Sequence, residues 1–213
     1  MLSTAVVTIG LLQDNVAVVI GAMVIARLLG PNLALALGCV LGDSDLMRKA
    51  LRVNGAGITM TVIIAAVIGN LSPMASASAE VMSRTVVSVD SIVLALASGA
   101  AAALSLTTGL SSVLVGVMVA VASLPPAATA ALLLGNGDYR LAAGAALLLV
   151  INVTCVNLAT SVVFLCKRIG PRTWQEKARA RRATIRFVAA GVAAVMILVV
   201  AVLLYGQLIL GTY

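Results

Sequence analysis

Two proline-bearing segments hold the residues whose types and spacing could do chemistry. The first reads Arg27-Leu28-Leu29-Gly30-Pro31-Asn32; the second is Leu124-Pro125-Pro126, with Thr129 one turn further on. Proline removes a helix hydrogen bond and clashes with the preceding turn, and it pushes the residue before it out of the helical region. A helix reaching Leu29 is expected to break at Gly30, with Pro31 in the first turn of a new helix. Pro125-Pro126 is expected to act in the same way. Each restarted half presents unpaired N–H groups and a partial positive charge. Two such ends converging suit an anion, or the electronegative part of a polar solute. Gly30, Pro31, Asn32, Pro125, Pro126 and Thr129 therefore form the candidate lining of a solute path. Asn157 joins them from a later apolar stretch. There Thr154, Asn157 and Ser161 share one helix face, and either line a polar path or join helices by hydrogen bonds. Arg27 is costly inside a membrane; it either serves the site, or snorkels or pairs with a neighbour.

Other chemistries lack their residues. The chain has no histidine, and Cys39, Cys155 and Cys166 stand in apolar runs at spacings that match no zinc pattern. There is no nucleophile elbow and no phosphate loop. The acids lie at the ends of apolar stretches, so Asp14, Asp43 and Asp138 read as turn or cap residues. No enzyme activity, metal or cofactor is expected.

The elements that position these residues follow from composition. Of 213 residues, 62% are hydrophobic and 10% charged, against about 25% charged in a soluble domain. Phe187–Leu210 has no charged residue, and about 20 apolar residues span a bilayer. Backbone amides in lipid need internal partners, and the continuous Ala, Leu and Val runs lack the alternation of a membrane barrel. The expected fold is an all-α polytopic transmembrane bundle of six or seven crossings. Lys167–Arg186 holds eight basic residues and one acid. It reads as a cytoplasmic loop under the positive-inside rule, in contact with anionic lipid, and not as a nucleic-acid site. Arg48, Lys49 and Arg52 put the Asp43–Arg52 loop on the same side. Leu71–Asp90 falls outside, and Val53–Asn70 and Ser91–Thr108 connect the two sides. The start lacks a basic region and does not read as a signal peptide. The twelve residues before Gln13 reach only about 18 Å, so the first span reads as truncated.

The sequence also repeats. Val16–Asp43 and Ser111–Asp138 align without a gap, with ten of 28 positions identical. The matches include Gly21/Gly116, Met23/Met118, Pro31/Pro126 and Asp43/Asp138. Met23 and Met118 read as core packing. Gly21, Gly30, Gly38, Gly99 and Gly116 are candidates for close helix contact. The charge-derived topology makes the first copy run inward and the second outward. The expected architecture is thus inverted three-plus-three repeats in one transmembrane domain. Repeat one covers about 1–70 and repeat two about 91–166; the basic loop is 167–186 and the extra span 187–210.

With GLLQDNVAVVIGAMVIARLLGPNLALALGCVLGD, LVGVMVAVASLPPAATAALLLGNGD and NVTCVNLATSVVFL in view, the chain resembles the bacterial and archaeal hydrophobic proteins of domain of unknown function 389. The resemblance covers about Leu2 to Arg182. It implies a multi-pass inner (plasma) membrane protein and supplies no activity. Relatives usually read A-P-L-x-G-P where this chain has Arg27, so the resemblance does not carry Arg27 over as a site. Many relatives add a soluble N-terminal domain. The expected function is a transporter or channel-like path at the repeat interface. The alternative is a non-transporting oligomeric scaffold or the membrane part of a sensor. A homo-oligomer is expected in either case.

Overall fold

The computed structural model describes residues 2–26, 29–72, 78–108, 112–167, 169, 185 and 188–197, with backbone alone at 29 and 112–122. Every regular element among them is an α-helix. The order is α1 (Leu2–Leu12), α2 (Val16–Ile25), α3 (Leu29–Leu41), α4 (Ser44–Leu71), α5 (Ala79–Ser83), α6 (Val89–Thr108), α7 (Ser112–Asn136) and α8 (Tyr139–Cys166), followed by a short apolar α9 (Val188–Ile197). Among the described residues α4, α6 and α8 are long and apolar enough to cross a membrane. The bent pair α2–α3 is a fourth if taken as one span. The chain is a helical membrane protein.

The hydrophobic patterns become helices because lipid leaves the backbone no other partner. What separates them is local. α3 and α7 both end in a glycine in the left-handed region, Gly42 at φ 69° and Gly137 at φ 91°. Each glycine N–H donates to the carbonyl three residues back at 3.3 Å, on Cys39 and Leu134 respectively. Each following aspartate N–H donates five back at 2.9 Å, from Asp43 to Gly38 and from Asp138 to Leu133. This pair of bonds is the glycine-ended C-cap that closes a helix sharply. Asp43 then caps α4, its carboxylate accepting from the Asp45 and Leu46 amides at 3.0 Å each. Asp138 holds the same position before α8 but accepts from Asn136 Nδ2 instead, at 3.0 Å. α4 and α8 have 28 residues each and start 95 positions apart, the offset of the sequence repeat.

Packing fixes the running directions. Asn54 Nδ2 donates to Asn32 Oδ1 at 2.9 Å, and Gly38 lies against Met47, so α4 returns antiparallel to α3. Asn54, Ile58 and Thr61 of α4 line one space with Ser123, Leu124 and Ala127 of α7, and further along both helices Gly69 meets the Leu132 backbone and Gly135 meets Ala66 and Asn70, so α4 and α7 run parallel. Gly144 meets Thr85 and Gly99 meets Val156, so α6 and α8 lead the same way. Thr160 Oγ1 donates to the Gly99 carbonyl at 3.1 Å, tying these two together. α3 and α7 thus run in opposite directions. The core has two parts. Val7, Met23, Leu132 and Leu133 fill one; Ala36, Ile151, Val156 and Phe164 fill the other.

Several expectations need correction. α7 is one continuous helix through Pro125 and Pro126. The prolines leave the carbonyls of residues 121 and 122 without their usual donors, at a cost of about 3 kcal/mol per interior proline. But residues 123–133 are all buried, and that packing holds the helix through the interruption. In the first copy the chain does bend, by 55° between α2 and α3. It leaves the helix at Ala26 (φ −73°, ψ 113°), and α3 has restarted by Leu29. Gly30 is therefore inside α3, and Pro31 is in its first turn as expected. Arg27 lies outside the described residues, as do the surroundings of Gly116, the Met118 side chain and most of Lys167–Arg186. Asp43–Arg52 is not a loop: α4 begins at Ser44. A Cβ on Gly21 or Gly30 would meet nothing within 4 Å, so neither allows a close helix contact. Gly38 and Gly99 do, together with Gly69, Gly135 and Gly144.

Candidate functional site

At about 1.5 Å per residue α4 is roughly 42 Å long. Its middle third carries Asn54, Gly57, Ile58 and Thr61. These face a cavity of about 220 Å³ whose other walls include Asn32 and Leu35 of α3, Ser123, Leu124 and Ala127 of α7, and Val153 of α8. Val153 is also near the centre of its helix. The cavity therefore sits beside the middles of α4 and α8, where four helices meet. Two pairs of its residues are 95 positions apart, Asn32 with Ala127 and Ile58 with Val153. Each copy contributes matched positions to one space.

The polar groups here are neutral. Asn32 is buried in the first turn of α3 and accepts the hydrogen bond from half-buried Asn54. Thr61 donates back to the Gly57 carbonyl at 2.9 Å and lies 3.3 Å from the Thr4 hydroxyl of α1. Leu51, Gly55 and Ile58 rim the cavity and are exposed, so it opens through the outer side of α4.

Of the residues expected along a path, Asn32 lines this cavity. Gly30, Pro31, Pro125, Pro126, Thr129 and Asn157 do not. One helix N-terminus, that of α3, approaches it in place of two, because α7 has no restart. Pro125 and Pro126 are buried beside it in α7. Thr129 is fully buried with an unpaired hydroxyl; Asn157 donates to the Val153 carbonyl at 2.8 Å and leaves its Oδ1 unpaired. Thr154 and Ser161 donate to the carbonyls of Val150 and Asn157 in their own helix, at 2.7 and 2.8 Å. From α8 it is Thr160 that bonds to a neighbouring helix, at the Gly99 carbonyl. Met23 packs in the core as expected. Because an unsatisfied buried hydroxyl costs about 1–3 kcal/mol, Thr129→Val is expected to raise thermal stability in detergent and to leave transport rates unchanged. A loss of transport would move Thr129 into the site.

Asn54, Thr61 and Ser123 are the residues that sequence reasoning missed. Starting the span at Val53 put Asn54 at a membrane boundary. The helix starts at Ser44, so Asn54 stands more than two turns into it.

Away from the cavity, the α1–α2 turn is pinned to the segment after α4. Asp14, at φ 53°, accepts from the Glu80 amide at 2.8 Å and the Ser78 hydroxyl at 2.6 Å. These bonds, the Glu80 amide first, hold its carboxyl below the usual carboxylate value. Ser78 also reaches the Leu11 carbonyl at 2.5 Å.

Comparison with known proteins adds the family. A family profile described as Domain of unknown function (DUF389) matches residues 23–158. An uncharacterized protein of Methanocaldococcus jannaschii is 37% identical over 185 residues, which is 87% of this chain and 58% of the relative. The chain thus spans somewhat more than half the length of that relative. No solved structure matches.

Proposed function

The chain belongs to the DUF389 family, and from that premise we propose that it is a transporter or channel-like membrane protein with a solute path between two inverted repeats. The observation that carries this reading is the cavity shared by α3, α4, α7 and α8, beside the middles of α4 and α8. A non-transporting scaffold has no need of a cavity where polar atoms from both copies meet.

The inverted-repeat reading is supported by the identical C-caps at Gly42 and Gly137, the equal lengths of α4 and α8, and the opposite directions of α3 and α7. Inverted repeats with an interrupted helix place a binding site at the repeat interface near the midplane. In the first copy the interruption lies between α2 and α3, and it brings Asn32 and the α3 N-terminus to the cavity. In the second copy the buried prolines leave two backbone carbonyls without helical donors. The basic segment 167–186 faces the cytoplasm in this reading and contacts anionic lipid.

The test is flux in proteoliposomes loaded with potassium chloride, sodium acetate, glycerol or urea. Wild type is expected to move at least one class faster than protein-free vesicles. Pro31→Ala is expected to slow that flux by straightening the entry to α3. No flux of any class points to the scaffold reading; flux unchanged in both Pro31→Ala and Pro126→Ala removes the interrupted helix from the mechanism.

A further inference from the structure

The charges beside the cavity's opening and the groups inside it narrow what it binds. Leu51, Gly55 and Ile58 rim the opening and are exposed. Arg48 and Arg52 stand three residues before Leu51 and Gly55, so each lies one helical turn from the rim. Both are exposed, and among the described residues neither has an ion-pair partner. α4 carries one acid, Asp45, nearly two turns before Leu51. Cations therefore flank the opening, and they raise the local concentration of anions. Inside, no charged side chain lines the walls among the described residues. Asn32 is 5% exposed, and its oxygen accepts from Asn54, which leaves its amide N–H groups as donors at the wall. It stands in the first turn of α3, a helix of 13 residues. The leading N–H groups of such a helix lack partners within it and carry partial positive charge. A helix end with an unpaired amide beside it stabilises an anion.

The walls also choose among anions. Leu35, Leu124, Ala127 and Val153 make much of the lining apolar. Neutral dipoles offset only part of the hydration that an ion gives up, and that loss is greatest for compact or divalent ions. A volume of about 220 Å³ holds about seven water-sized units of 30 Å³, room for a monovalent ion and part of its hydration shell.

We infer that the cavity takes a small, weakly hydrated monovalent anion of the nitrate or thiocyanate kind, drawn in past Arg48 and Arg52 and held by the Asn32 amide at the α3 N-terminus. This inference rests on the reading of the cavity as a binding site on a transport path.

The test reads binding and flux separately on the purified full chain. In detergent, broadening of the chloride NMR line by the protein reports bound chloride. Nitrate and thiocyanate are expected to remove that broadening at about tenfold lower concentration than fluoride or sulfate. Asn32→Leu/Asn54→Leu is expected to abolish the removable broadening. Arg48→Gln/Arg52→Gln is a second variant whose folding is not in question, because both side chains are exposed. It is expected to bind several-fold more weakly at low ionic strength and like wild type at high ionic strength set with gluconate, because salt screens exposed charges. In vesicles, nitrate flux is expected to exceed urea and glycerol flux. Broadening that sulfate removes as readily as thiocyanate, wild-type broadening in the asparagine variant, or wild-type binding by the arginine variant at low ionic strength overturns the inference. Removable broadening without flux of any solute would remove the transport reading alone. Flux of urea or glycerol without removable broadening would remove this ligand class alone.

Discussion

The Asn32→Leu/Asn54→Leu double variant is expected to fold and reconstitute like wild type, and to transport about tenfold more slowly or worse. The two halves of that expectation have separate causes. Asn32 is 5% exposed, and its hydrogen bond with Asn54 is a polar link between α3 and α4. Removing Asn54 alone strands the Asn32 oxygen at a cost of about 1–3 kcal/mol, whereas replacing both partners with apolar groups is nearly neutral. The double variant therefore separates the fold from the site. What it takes from the cavity is the pair of amide dipoles that a polar solute would meet. Losing one good hydrogen bond, about 1.4 kcal/mol, already slows transport about tenfold. Circular dichroism and size exclusion check the fold, and flux checks the function. A double variant with wild-type flux would take the amide pair out of the path.

The second large effect is structural. Gly135→Val and Gly69→Val are each expected to lower stability in detergent by about 1–3 kcal/mol or more. A Cβ at Gly135 would run into the Ala66 carbonyl and one at Gly69 into the Leu132 carbonyl, both backbone groups of the facing helix. Backbone cannot rotate away as a side chain can, so α4 and α7 must separate. In lipid that interface is held by close packing alone, which is why small residues gather there. Gly21→Ala is the contrasting control. With open space around it, alanine in place of glycine gains helix propensity of up to about 1 kcal/mol. Thermal melts of the three variants should rank Gly21→Ala at or above wild type and the other two well below it. Equal melts would mean that α4 and α7 do not meet as described.

How much of this was legible in the sequence depends on which force decides each feature. The membrane class and the ends of α6 were readable from hydropathy, because the surroundings of the chain set them. The matched Gly-Asp pairs did mark a shared local feature: Gly42 and Gly137 form the same left-handed cap. Proline was a weaker guide. Pro31 accompanies a bend, but Pro125-Pro126 sits within a straight-through helix, because tertiary packing around residues 123–133 overrides a local preference. The glycine contacts split in the same way. Gly38 and Gly99 face backbone or side chains of neighbours, while Gly21 and Gly30 do not, and no pattern in the sequence separates the two groups. Asn54 escaped notice because Arg48, Lys49 and Arg52 suggested a loop. Those cations ride instead on the first turns of a long helix, their side chains exposed. Thr129 and Asn157 are in apolar stretches as read, yet they are buried between helices away from the cavity.

The central claim is that one helical unit occurs twice, in opposite senses, around a shared cavity. Its most direct test is the sidedness of two matched positions, Ser44 and Tyr139, the first residues of α4 and α8 and both exposed. With Cys39, Cys155 and Cys166 replaced by alanine, Ser44→Cys and Tyr139→Cys are each treated with a membrane-impermeant maleimide in right-side-out and inverted vesicles. The account predicts that Ser44→Cys labels from the cytoplasmic side only and Tyr139→Cys from the opposite side only. Labelling of both from the same side would contradict it.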